Sequence, residues 1–160
     1  MNIRKATEKD YDAVWEIFHE VIQGGDTYVF LPDTPKEDLA THWFGESYHT
    51  FVVEDNDHIV GTYLLKPNEI GRGSHIANCG YMVKPNAHGR GIGSLMCEHS
   101  IEKARELAFK AIQFNKVVST NQRAIRLWEK YGFHIIGTIP NGFDHKEFGY
   151  VDAYMMYKEL

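Results

Sequence analysis

Apolar residues recur at helical spacing in three stretches. Tyr11, Val14, Trp15, Phe18, Val21 and Ile22 fall at i, i+3, i+4, i+7, i+10 and i+11, one face of an amphipathic helix. Thr7 and Asp10 make a capping box ahead of it, and Gly24-Gly25 stop it. Cys97, Ile101, Ala104 and Ala108 share a face in a helix predicted from Ser94 to about Ala108. Ala124, Leu127, Trp128 and Tyr131 repeat at i, i+3, i+4 and i+7 in a helix opened by Asn121 and stopped by Gly132. A fourth helix is predicted from its start signal. Thr34-Pro35-Lys36-Glu37 supplies a cap, a first-position Pro and a Glu, and the helix should run to about Glu46.

The β-rich runs are Asn2–Ala6, Tyr48–Glu54, Ile59–Leu65, Ser74–Val83, Ala111–Val118, Phe133–Ile139 and Asp152–Tyr157. Asp55-Asn56-Asp57 is hairpin chemistry. DTYVFLPDT has aromatics but no clear period and is a predicted loop, and NGFDHKEFGY is the loop before the last strand. Hairpins mixed with helical crossovers predict an α/β (α+β) domain, a mixed sheet flanked by helices.

Length and composition narrow the classes. The 160 residues predict one domain spanning 1–160, long enough to bury a core without disulfides or structural metal. With 43% hydrophobic and 24% charged residues, wholesale disorder is excluded. A net charge of -5 argues against nucleic acid or an anionic membrane as the main partner, since both need a concentrated basic face. Cys79 and Cys97 have no zinc-ligand spacing, and free thiols suit a reducing compartment. No signal-peptide core and no 18-residue apolar run is present, so the cytoplasm is the default location. The 9 histidines contain no HxxxH or HExxH, so no metal is expected.

The candidate chemistry centres on HGRGIG, His88 to Gly93, between the strand ending at Val83 and a helix. Glycines at 89, 91 and 93 let backbone N–H groups turn toward a ligand, and the helix start adds free donors and a positive dipole end. Together these suit a pyrophosphate, with Arg90 as added charge. An ordinary strand-to-helix turn is the other reading of the loop taken alone. A Walker loop is excluded because Gly93-Ser94 lacks the Lys, and a dinucleotide fingerprint because the spacing is GxGxG.

VKPNAHGRGIGSLM resembles the acetyl-CoA loop of the GNAT acetyltransferases, whose core pattern is Gln/Arg-x-x-Gly-x-Gly/Ala. Val83, Pro85, Gly91 and Gly93 match it. NQRAIRLWEKYGF, Asn121 to Phe133, resembles the family's second signature. The resemblance implies a mixed, mostly antiparallel sheet with two splayed central parallel strands, those of Tyr81 and Asn115. It implies acetyl-CoA as co-substrate. His88, Gly89, Arg90, Gly91, Ile92, Gly93 and Ser94 would then hold the pyrophosphate. Backbone groups of Tyr81, Met82 and Val83 would pair with the pantetheine arm, Met82 polarising the thioester carbonyl, and Asn121 would bond the pantetheine.

Departures from the family pattern bear on the chemistry. His88 stands where relatives carry Gln or Arg, and Trp128 where many carry a Tyr that protonates the departing thiolate. Tyr131 is one helical step along and is assigned to packing. Asn78 stands where relatives often place a Glu base. Asn78 and Asn115 either face the acceptor pocket and bind a carboxylate through their NH2 groups, or satisfy backbone at a strand irregularity. IQFNKVVSTN is similar to a subgroup that acetylates proline analogues and small amino acids. His145 is a candidate base, Cys79 a small buried hydrophobe, and Tyr28 and Phe30 either line the acceptor pocket or plug the core, with core the preferred reading. The expected reaction is direct acetyl transfer to the amine of a small molecule, water taking the proton. A non-catalytic CoA-binding module and a protein-modifying acetyltransferase are the alternatives, and a homodimer is compatible with the sequence.

Overall fold

The computed structural model describes residues 1–160. The strands are β1 (Asn2–Lys5), β2 (His49–Asp55), β3 (His58–Pro67), β4 (Ile76–Val83), β5 (Ala111–Val118), β6 (His134–His145) and β7 (Gly149–Glu159). They form one sheet in the order β1-β2-β3-β4-β5-β7-β6. Only β4 and β5 run parallel; every other neighbouring pair is antiparallel. The helices are α1 (Tyr11–Gly24), α2 (Leu39–His42), α3 (Ile92–Glu106) and α4 (Gln122–Lys130). No helix is long and apolar enough to cross a membrane.

Each face of the sheet has its own core. On one face Val14, Ile17 and Phe18 of α1, with Leu39 and Trp43, pack on Val52, Leu64 and Met82. On the other, Met96, Ile101 and Ala104 of α3, with Ile125 and Trp128 of α4, pack on Tyr63, Leu65, Ile112 and Phe114. The period of two along a strand then puts Lys66, Asn78 and Gly80 on the α1 face.

The start of α1 is fixed by charge. The Thr7 N–H donates to Asp10 Oδ2 at 2.8 Å, and Arg4 donates two bonds of 2.8 Å to the same carboxylate. Asp10 is buried, and the Arg4 guanidinium holds its carboxyl down to about 2. Asn56 and Asp57, both with positive φ, make the two-residue β2–β3 turn.

Two elements differ from the sequence expectation. The helix predicted from Thr34 to Glu46 is a 3₁₀ turn, Lys36–Asp38, followed by the single-turn α2. It stops because Trp43 leaves helical geometry and buries its ring, with Nε1 donating to Thr62 Oγ1 at 3.0 Å. The predicted loop NGFDHKEFGY is instead the tip of a long hairpin, β6 running through to His145. A register shift between Ile139 and Phe143 absorbs Pro140, Asn141 and Gly142, and pairing resumes at Phe143.

Candidate active site

The site is built where β4 and β5 part. Their pairing covers Ile76, Ala77 and Asn78 against Ala111, Ile112 and Gln113, and then ends. β4 continues to Val83 with only β3 beside it. The Trp128 ring of α4 lies 4.6 Å from Tyr81 and 4.4 Å from Phe114, centroid to centroid, and the Tyr81 and Phe114 rings lie 5.7 Å apart, so three rings cluster over the diverging strands. β5 also shifts register against β7 between Phe114 and Val117. The β4 backbone beyond Asn78 thus faces a gap and not a partner strand, which leaves main-chain groups free for an extended ligand.

The gap opens into a cleft of about 1590 Å³. That exceeds a typical drug-sized pocket and suits a long ligand together with a second, small one. Tyr81, Met82, Val83, His88, Gly89, Gly91, Ile92, Gly93, Ser94 and Asn121 all line it. Gly89 and Gly91 have φ of 82° and 80°, and a Cβ at either would meet nothing within 4 Å. Their conformation is the left-handed one that glycine adopts freely, and the space beside them is open. α3 begins at Ile92, two residues earlier than its predicted start, so the loop passes directly into its free N–H groups.

One loop assignment changes. Arg90 does not line the cleft. It pairs with Asp55 at the β2–β3 turn, in a separate polar hollow. Arg123 lines the cleft instead, and burial first and the Arg123 charge second hold the His88 pKa below its ordinary value, with Asp26 opposing them. Asn121 Oδ1 caps α4, accepting from the Ala124 N–H at 3.2 Å, which leaves its NH2 group for a ligand.

Beyond the point of separation the cleft continues over the α1 face. Its floor carries Lys66 of β3, Asn78 and Gly80 of β4 and Asn115 of β5. Asn78 Nδ2 donates to the Gln113 carbonyl at 3.0 Å, across the last paired position. Asn115 Oδ1 accepts from Gln113 Nε2 at 2.9 Å, leaving its NH2 group open. Both asparagines face one cleft, and Asn78 also bonds the backbone at the irregularity. Tyr28 and Phe30 pack on the α1 core and line the cleft as well. Tyr28 donates to the Tyr81 carbonyl at 2.8 Å. Gly80 permits this, since a Cβ there would come within 3.2 Å of the Tyr28 hydroxyl.

The roof of this end is two segments far apart in sequence. The Lys146 N–H donates to the Gly25 carbonyl at 2.9 Å, and Lys146 Nζ reaches the Gln23 carbonyl at 3.3 Å. The hairpin tip is thereby fastened to the end of α1. His145 is buried there, and its Nδ1 accepts the N–H groups of Glu147 and Phe148 at 3.1 and 3.2 Å. Neutral His145 therefore carries its proton on Nε2 and is a donor toward its surroundings, not a base. Tyr131 lies outside the cleft, donating to Glu98 Oε1 at 2.6 Å. Cys79 is buried, and that burial pushes its thiol well up.

Comparisons agree with this geometry. A family model described as Acetyltransferase (GNAT) family matches residues 11–133. Over 98 residues, 61% of the chain, the sequence is 40% identical to the N-acetyltransferase aca1 of Schizosaccharomyces pombe. The aligned part covers 47% of that relative, so the chain spans about half the length of the curated protein it matches. A GCN5-related N-acetyltransferase from Kribbella flavida is 36% identical, with a TM-score of 0.94 over 99% of this chain and 97% of that one. The structure of yncA from Salmonella typhimurium with its cofactor acetyl-CoA is 21% identical, with a TM-score of 0.88 over 100% and 94% of the two chains. That last likeness is one of fold.

Proposed function

The chain belongs to the acetyltransferase (GNAT) family, and on that premise we propose that it moves the acetyl group of acetyl-CoA directly onto the amine of a small molecule, an amino acid or proline-like compound, in a ternary complex. The observation that carries this is the unpaired β4 edge beside the glycine loop. The pantetheine arm takes the place of a strand along Tyr81 to Val83. The pyrophosphate rests on the amides of His88 to Ser94 and the start of α3, with Arg123 as the nearby cation. Met82 directs its main-chain groups to Thr62 of β3, so it is not the oxyanion donor expected from the sequence; the N–H groups that face the gap are those of Tyr81 and Val83, and one of these stabilises the oxyanion. The yncA structure, of the same fold, holds acetyl-CoA.

In the reaction the neutral amine attacks the thioester carbonyl, a C–N bond forms, and the C–S bond breaks to release CoA. The amine proton passes to water. Trp128 has no acidic proton to give, and none is essential, since a thiol of pKa about 8.5 is a fair leaving group. The hairpin tip fastened to α1 encloses the acceptor end, which favours a small molecule over a peptide. Asn78 and Asn115 position the acceptor. The test is release of CoA thiol over a panel of amino acids, amines, aminoglycosides and peptides. Turnover with small amino acids is expected. Binding of acetyl-CoA without turnover of any acceptor would identify a non-catalytic module instead, and turnover of peptides alone a protein-modifying enzyme.

A further inference from the structure

One charged side chain on the cleft floor has no partner of opposite sign. Lys66 is half-buried on β3 and lines the acceptor end of the cleft. Its Nζ donates to the Tyr48 hydroxyl at 3.1 Å and stands 4.7 Å from the centre of the Tyr48 ring. Both contacts stabilise an ammonium without neutralising it. None of the ion pairs in the protein includes Lys66. The carboxylates that line the cleft, Glu20, Asp26 and Glu147, are exposed, on α1, the segment after it and the hairpin tip, not on the sheet floor.

Lys66 is aligned with the two asparagines. It is the register partner of Asn78, which is the partner of Gln113, whose side chain bonds Asn115. Three adjacent strands thus present a row of donors on one face: the Lys66 ammonium and the amide NH2 groups of Asn78 and Asn115. His145 adds an Nε2–H in the same cleft. A floor of donors with an uncompensated positive charge matches an anion, and the planar acceptor of two or more N–H groups is a carboxylate.

Resting on the acetyl-transfer reading, we propose that Lys66, held by Tyr48, is the binding residue for the acceptor's carboxylate and sets the preference for an amino acid over a plain amine. The dimensions fit. Asn78, opposite Lys66, is three residues along β4 from Tyr81, about 10 Å at the rise of a strand. A lysine side chain plus a small amino acid bridges that length, with the amine directed to the open edge and the carboxylate to the ammonium. An acceptor with a second amine in place of the carboxylate meets like charge there.

The experiment compares the wild-type protein with Lys66→Gln and Lys66→Arg, using small amino acids and their primary amides at saturating acetyl-CoA. Lys66→Gln should raise KM for the acids about ten- to a hundredfold, the size of one charge-assisted hydrogen bond. It should leave the amides within about threefold and the acetyl-CoA KM unchanged. Lys66→Arg should keep most of the acid preference. Equal losses for acid and amide, or no loss, overturn the assignment. If the wild type binds acetyl-CoA but acetylates nothing, the acetyl-transfer reading fails. Calorimetric binding of the same acids and amides to the CoA-loaded protein then decides Lys66 alone. Acid-selective binding that Lys66→Gln abolishes upholds the site, and its absence overturns it.

Discussion

Gly91 separates the role of the loop in ligand binding from its role in folding. Its φ of 80° costs a non-glycine residue about 1–2 kcal/mol, while the space around an added Cβ is empty within 4 Å. Gly91→Ala should therefore fold, with a melting temperature lower by about 2–8 °C for a chain of this size. Gly91→Glu carries the same backbone strain and also projects a carboxylate toward the loop's amides. Two unit charges 4 Å apart repel by about 1 kcal/mol in water and about 4 kcal/mol at an effective dielectric constant near 20. The loop is exposed, which places the effect in the lower half of that range for each of the two phosphates. The sum is about 2–5 kcal/mol, a weakening of acetyl-CoA binding by about thirty- to several thousandfold. Calorimetric titration of CoA into the Ala and Glu variants measures the difference, and added salt should narrow it. A folded Glu variant that binds CoA as well as the Ala variant would refute the placement of the pyrophosphate.

Further outcomes follow from contacts described above. Tyr131→Phe should leave kcat within about threefold, because its hydroxyl is spent on Glu98 outside the cleft; a hundredfold loss in a steady-state assay would make it the general acid. Asn115→Asp sets a carboxylate in the row of donors and should raise the acceptor KM at least tenfold, with the acetyl-CoA KM nearly constant; parallel rises in both constants count against an acceptor role. Asn78→Asp should also lower the melting temperature, since it removes the bond to the Gln113 carbonyl. Asp10 has its folded pKa lowered to about 2 from 3.8, so its stabilising effect is complete above the unfolded value and disappears as pH falls through about 2. Urea unfolding at pH 5 and pH 2 should show a smaller loss for Asp10→Asn than for the wild type; equal losses would remove Asp10 from the acid response.

The half of the site proposed to hold CoA was legible in the sequence because it is made of consecutive residues. Gly89, Gly91 and Gly93, the strand before them and the helix after them are local signals, and all of them line the cleft. The acceptor end was legible in Asn78, Asn115 and His145. Lys66 joins them in the cleft through sheet order, which no local pattern encodes. Lys66 looks like any strand-end lysine until the register sets it opposite Asn78. Arg90 misled for the same reason, since Asp55, its partner, is 35 residues away. The two misjudged elements share one cause. The start signal at Thr34-Pro35 and the loop-like run NGFDHKEFGY are local features, while the burial of Trp43 and the resumed β6–β7 pairing decide the outcome.

The unpaired β4 edge has a consequence for handling and lifetime. Free backbone donors and acceptors along a strand are what other extended chains pair with, and most sheets bury or charge such edges. Here β4–β5 pairing ends at Asn78 and no other strand of the chain covers the edge beyond it, so the covering piece has to come from solution. A ligand that completes the sheet is then also a stabiliser by mass action, adding about 2.7 kcal/mol at a hundred times its Kd. Purification that strips CoA takes that increment away and bares the edge together. Losses to aggregation should accordingly track the concentration of free CoA, and a preparation saturated with it should outlast a stripped one at the same temperature.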